Sequence, residues 1–102
     1  MNKIHNFING DPVSHSKEEF PIFNPATDEI ISKVVLSNKE DFDEAINSSK
    51  KSFHEWSNTT PLKRSRIISK YKILIERNID KLAKVISEEH GKTIEDSKGS
   101  VI

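Results

Sequence analysis

The chain has 102 residues, no formal net charge, 33% apolar and 31% charged residues, and no cysteine. Zero net charge offers no global field toward nucleic acid or an anionic membrane, and the missing cysteine excludes disulfides, thiolate metal sites and a thiol nucleophile within these residues. This length supports one domain at most, and the lean apolar supply points to a piece whose buried faces complete a larger body. No run approaches the roughly 18 apolar residues of a membrane span, and the opening MNKIHNFINGDPV lacks a signal-peptide core, so a soluble, cytoplasmic protein is the expectation.

Residues 1–36 read as strands and turns. Phe7-Ile8 runs into Asn9-Gly10, a strong hairpin signal, and then Asp11-Pro12-Val13. Ser14 to Glu19 is polar and reads as a loop or hairpin tip. Phe20-Pro21-Ile22-Phe23 is a short apolar run that Pro21 confines to an edge or a strand start. Asn24 to Glu29 has turn chemistry, and Ile30 to Leu36 is the best strand, rich in β-branched residues. The simplest arrangement is an antiparallel meander ending at Leu36.

The hydrophobic period changes at Ser37. Ser37 with Glu40 forms a capping-box pattern, and Phe42, Ala45, Ile46, Phe53 and Trp56 share one helical face, which predicts core packing. Thr60 suits an N-cap and Pro61 the first helical position. Ile67, Tyr71, Leu74 and Ile75, widened by Ile68, make the next stripe. Asn78 is then expected to cap a further helix carrying Ile79, Leu82, Ala83 and Ile86, and Gly91 suits its left-handed end. Thr93 with Asp96 opens a fourth helix near Ile94. That helix has barely begun when the chain stops at Val101-Ile102, so a piece of a longer protein is expected. The fold class is therefore α+β: antiparallel strands over 1–36, then helices over 37–102.

Chemistry-bearing residues are sparse. His5, His15, His54 and His90 do not pair at i+3 or i+4, so each reads as a surface or cap residue, His90 as a last-turn cation. Gly10, Gly91 and Gly99 cannot form a phosphate-cradling loop. Lys92 and Lys98 lie among acidic residues in a polar stretch and read as solvated lysines, because activation of an amine needs burial or a cationic neighbour. The local anomaly is charge: Lys63, Arg64, Arg66, Lys70, Lys72 and Arg77 face Glu76 alone, whereas the preceding helix opens on Glu40, Asp41, Asp43 and Glu44. A small binding module using the Lys63–Arg77 face is one reading, and a solvated exterior the favoured one.

Taken together, Phe7-Ile8-Asn9-Gly10, Phe23-Asn24-Pro25-Ala26-Thr27-Asp28-Glu29-Ile30-Ile31, Phe53-His54-Glu55-Trp56, Arg64 with Arg66, and Glu89-His90-Gly91-Lys92-Thr93 resemble the start of an NAD(P)-dependent aldehyde dehydrogenase. No single piece is decisive, and the combination in register covers nearly the whole chain. Trp56-Ser57 with Thr59, Tyr71 to Asn78, and Gly91-Lys92-Thr93 followed by Asp96 and Gly99-Ser100-Val101 look most like the methylmalonate-semialdehyde type. Succinate-semialdehyde and betaine-aldehyde types share the frame. The resemblance implies that residues 1–102 are an incomplete N-terminal part of a Rossmann-like NAD-binding domain. It further implies a complete enzyme that also has a catalytic domain and an oligomerising β-extension and forms a homo-oligomer. In that enzyme a cysteine thiolate attacks an aldehyde, hydride passes to NAD, and coenzyme A accepts the acyl group with loss of carbon dioxide. The family's nucleophile, catalytic glutamate and cofactor turn have no counterpart here. Glu88, Glu89 and Glu95 do not match the glutamate motif, and no catalytic, cofactor-binding or metal residue is assigned.

Overall fold

The computed structural model describes residues Asn2–Ile102. Five strands precede four helices: β1 Asn2–Ile4, β2 Asn6–Ile8, β3 Asp11–Val13, β4 Glu19–Asn24, β5 Glu29–Val35, then α1 Lys39–Asn58, α2 Pro61–Arg77, α3 Ile79–His90 and α4 Ile94–Val101. The chain divides into two compact units, one running to Ile22 and resuming over Ile30–Thr59, the other combining Phe23–Glu29 with Thr60–Ile102.

In the first unit β2 and β3 form the expected antiparallel hairpin, Phe7 opposite Pro12. Asn9 (φ 53°) and Gly10 (φ 83°) turn it, both in the left-handed region that the twist of a two-residue hairpin demands. The meander is corrected. A three-stranded sheet has the order β1-β5-β4, and β1 runs parallel to β5, with Asn2 opposite Ser32 and Ile4 opposite Val34. Strand propensity records which residues tolerate a pleated backbone, not which strand they pair with. Here the β2–β3 hairpin and β4 intervene, and they supply the long connection that a parallel pair requires. β4 lies at the sheet edge, the position to which Pro21 confines it.

α1 begins one residue later than its sequence suggests. Asn38, not Ser37, is the N-cap. Its side chain accepts from the Asp41 amide at 3.1 Å, and the Asp41 carboxylate accepts from the Asn38 amide at 3.0 Å. An aspartate at the third helical position closes the box as a glutamate would. Phe42, Phe53 and Trp56 are 63%, 68% and 38% exposed, so these three residues of the predicted core face of α1 are largely uncovered, whereas Ala45 is half-buried.

In the second unit the Asn24 side chain accepts from the Ala26 amide at 2.9 Å, and the Asn24 carbonyl accepts from Asp28, whose φ is 59°. Asn and Asp tolerate such geometry because a short polar side chain bonds locally. Thr60 caps α2 through the Lys63 amide, with Pro61 at the first helical turn. Asn78 departs from expectation. Its side-chain amide donates backward to the Leu74 carbonyl at 2.8 Å, closing α2, and it makes no side-chain cap for α3. Gly91 ends α3 at φ 75°, and Thr93 caps α4 through the Asp96 amide. α3 packs on α4, and Ala83 and Ser97 are fully buried. Ile67, Ile68, Tyr71 and Leu74 remain exposed.

Candidate functional site

The densest polar cluster in the first unit lies where the connection after β3 meets the start of α1. Asp41 is 2% exposed, yet its carboxylate is well supplied with donors. The His15 amide donates to Oδ1 at 2.6 Å, and the Ser16 and Asn38 amides donate to Oδ2 at 3.3 and 3.0 Å. These amides hold the Asp41 carboxyl below its ordinary pKa, the His15 bond contributing most, against the opposing effect of desolvation. A negative charge in the first turn of a helix also meets the positive end of the helix dipole.

The His15 ring lies over the same helix. Nε2 bonds the Glu44 carboxylate, and Nδ1 is 3.9 Å from Glu40 Oε2. The bond to Glu44 is the largest cause of a raised His15 pKa; the charges of Glu44, Asp41 and Glu40 add to it, and desolvation works against it. Ile8, Asn9, His15, Glu40, Glu44 and Lys51 line an open recess here. Nearby, His5 Nδ1 and Ser14 Oγ are 2.8 Å apart, and Ser37 Oγ donates to Asn6 Oδ1 at 3.0 Å. A Ser–His contact alone is not a nucleophile system. Nothing bonds the other ring nitrogen to orient the base among the described residues, and both partners lie in the outer polar connections.

The remaining sequence candidates stay apart. His54 is exposed on α1, and His90 occupies the last turn of α3 as expected. Lys92 Nζ donates to Ser100 Oγ at 3.1 Å, and Lys98 pairs with Asp80 at 3.1 Å. On α2, Lys72 pairs with Glu76 at 3.7 Å while Lys63, Arg66, Lys70 and Arg77 are exposed. Among the described residues no group of His, Asp and Glu is arranged to hold a metal ion, and no helix is long and apolar enough to cross a membrane. The His15–Asp41–Glu44 association was missed by local spacing because it joins residues 26 and 29 apart. The only advance signal was the acidic opening of α1, which has to find cations or donors somewhere.

The arrangement can hold a backbone connection in place. The larger likeness is in the chain as a whole. Residues 13–102 match the aldehyde dehydrogenase family. The chain belongs to that family. It is 40% identical over 101 residues to a malonate-semialdehyde dehydrogenase of Pseudomonas aeruginosa, covering 99% of this chain and 20% of that protein. It is 40% identical over 100 residues to an acylating mitochondrial methylmalonate-semialdehyde dehydrogenase of Arabidopsis thaliana, covering 97% and 16%. The crystal structure of a methylmalonate-semialdehyde dehydrogenase from Oceanimonas doudoroffii superposes with a TM-score of 0.95 at 37% identity, over 99% of this chain and 21% of that one. The chain thus spans about one fifth of the length of the curated relatives it matches. Its strands followed by helices correspond to the N-terminal, Rossmann-like NAD-binding portion of the aldehyde dehydrogenase fold.

Proposed function

We propose that residues 1–102 are the N-terminal part of the NAD-binding domain of a (methyl)malonate-semialdehyde dehydrogenase. The complete enzyme oxidises the semialdehyde with NAD, delivers the acyl group to coenzyme A, and works as a homo-oligomer in the cytoplasm. These residues contribute support for that domain and none of the reacting groups.

The observation that carries this reading is the unbroken likeness to semialdehyde dehydrogenases along the whole chain, at 0.95 in TM-score and 40% in identity. Exposure supports it. Val35, 6% exposed, and Ala83, fully buried, are the buried apolar residues among the described residues. Faces such as Ile67, Tyr71 and Leu74 on α2 have the pattern of surfaces that pack against more protein.

The test is a chimera in which this chain replaces the corresponding segment of the Pseudomonas aeruginosa malonate-semialdehyde dehydrogenase. The chimera is expected to reduce NAD with malonate semialdehyde in a coenzyme A-dependent reaction, while the chain alone reduces none. A soluble chimera of the native oligomeric size with no NAD reduction would refute the assignment.

A further inference from the structure

We propose that His15 is a protonation-dependent latch: its imidazolium pins the 14–18 connection onto the first turns of α1, and loss of the proton loosens that connection. The connection has two anchors of different character. The first is the Asp41 carboxylate, which receives the His15 and Ser16 amides at 2.6 and 3.3 Å and stays ionised through the neutral range. The second is the His15 ring, set between Glu44 at Nε2 and Glu40 at 3.9 Å from Nδ1.

Glu40 and Glu44 stand four residues apart on one helix face, where like charges repel. A neutral imidazole has one N–H and can donate to one of them. The imidazolium has two and can serve both. The surroundings favour the cation. Facing the ring from α1 are Glu40, Asp41, Asp43 and Glu44, and Lys51 is the basic residue of α1 that lines the recess among the described residues. From the β2–β3 turn come Ile8 and Asn9, neither of which titrates. On the connection itself, Ser14 and Ser16 flank the ring, followed by Lys17 and Glu18. The helix dipole opposes a cation at this end, but it amounts to about half a charge against several full carboxylate charges. Because His15 titrates above its ordinary 6.5, the ring anchor is complete below that pH and is lost as pH rises through the raised value.

Half-exposed ion pairs shift an opening equilibrium by a factor of about two to five. Amide hydrogen exchange on the full chain, corrected for intrinsic rates, reads that opening at His15 and Ser16. Protection at both amides is expected to fall by about two- to fivefold between about pH 6 and about pH 9. His15→Gln should be flat with pH and resemble the deprotonated parent. Glu44→Gln should retain the imidazole and lose most of the pH response, and its His15 should titrate lower by NMR. The proposal is overturned by flat protection in the parent, by an unchanged response in His15→Gln or Glu44→Gln, or by amides in this connection that are unprotected throughout.

Discussion

Gly91→Ala tests how α3 is terminated. The residue sits at φ +75°, where a side chain crowds its own carbonyl at a cost of about 1–2 kcal/mol. Alanine also restricts the unfolded chain, which returns about 0.4–1 kcal/mol. The new Cβ would stand 3.2 Å from Pro25 Cγ, closer than the usual separation, adding a few tenths more. The net loss is about 1 kcal/mol, and over a slope of about 1–1.5 kcal/mol per molar it lowers the urea midpoint by roughly 0.7–1 M. Far-ultraviolet circular dichroism follows the transition. Gly10→Ala is the control: φ is +83° but nothing lies within 4 Å of the added carbon, so strain acts without the Pro25 contact and the loss is smaller. A Gly91→Ala midpoint equal to or above the parent's would refute the left-handed termination, and equal losses at the two glycines would refute the Pro25 contact.

Thr60→Ala removes the acceptor at 3.3 Å from the Lys63 amide and should cost about 0.5–1 kcal/mol by the same titration, with Thr60→Ser restoring most of it. Ser97→Ala should stabilise by about 1 kcal/mol. The Ser97 hydroxyl is fully buried without a hydrogen-bond partner among the described residues, and alanine also favours helix; a destabilised variant would mean the hydroxyl is bonded in solution. Asp41→Asn addresses acid sensitivity. The folded pKa of Asp41 is depressed, so its stabilisation is present above the ordinary value near 3.8 and is lost as pH falls through the lower folded value. The variant should be less stable at neutral pH and lose less on acidification, and parallel pH-stability curves for parent and variant would argue against the amide cluster around Asp41.

Local signals in the sequence were reliable wherever the physics was local. Asn9-Gly10 turned a hairpin, Pro21 sat on an edge strand, Thr60-Pro61 opened α2, and Gly91 ended α3, because each depends on torsions and bonds within a few residues. Of the two departures, Ser37 for Asn38 is a choice between adjacent residues of similar chemistry, whereas Asn78 stands at the expected N-cap position and turns its side chain back to Leu74 instead of forward into α3. The family was also legible before any coordinates, because a long in-register series of weak motifs is specific where each alone is not.

Tertiary structure decided the rest. The parallel seating of β1 on β5 joins residues 30 apart and depends on where a sheet edge is left open, which strand propensity does not encode. The exposure of the α1 and α2 faces could not be read from their periodicity, since an apolar stripe states that a partner is needed and not whether one is present. The joining of His15 to Asp41 and Glu44 required the fold to bring a loop onto a helix start. By itself, then, the sequence determined element types, their ends and the family, through local torsional and hydrogen-bond preferences. Strand order, exposed faces and the polar cluster around Asp41 arose only when distant segments met, because pairing and burial are properties of contacts rather than of residues.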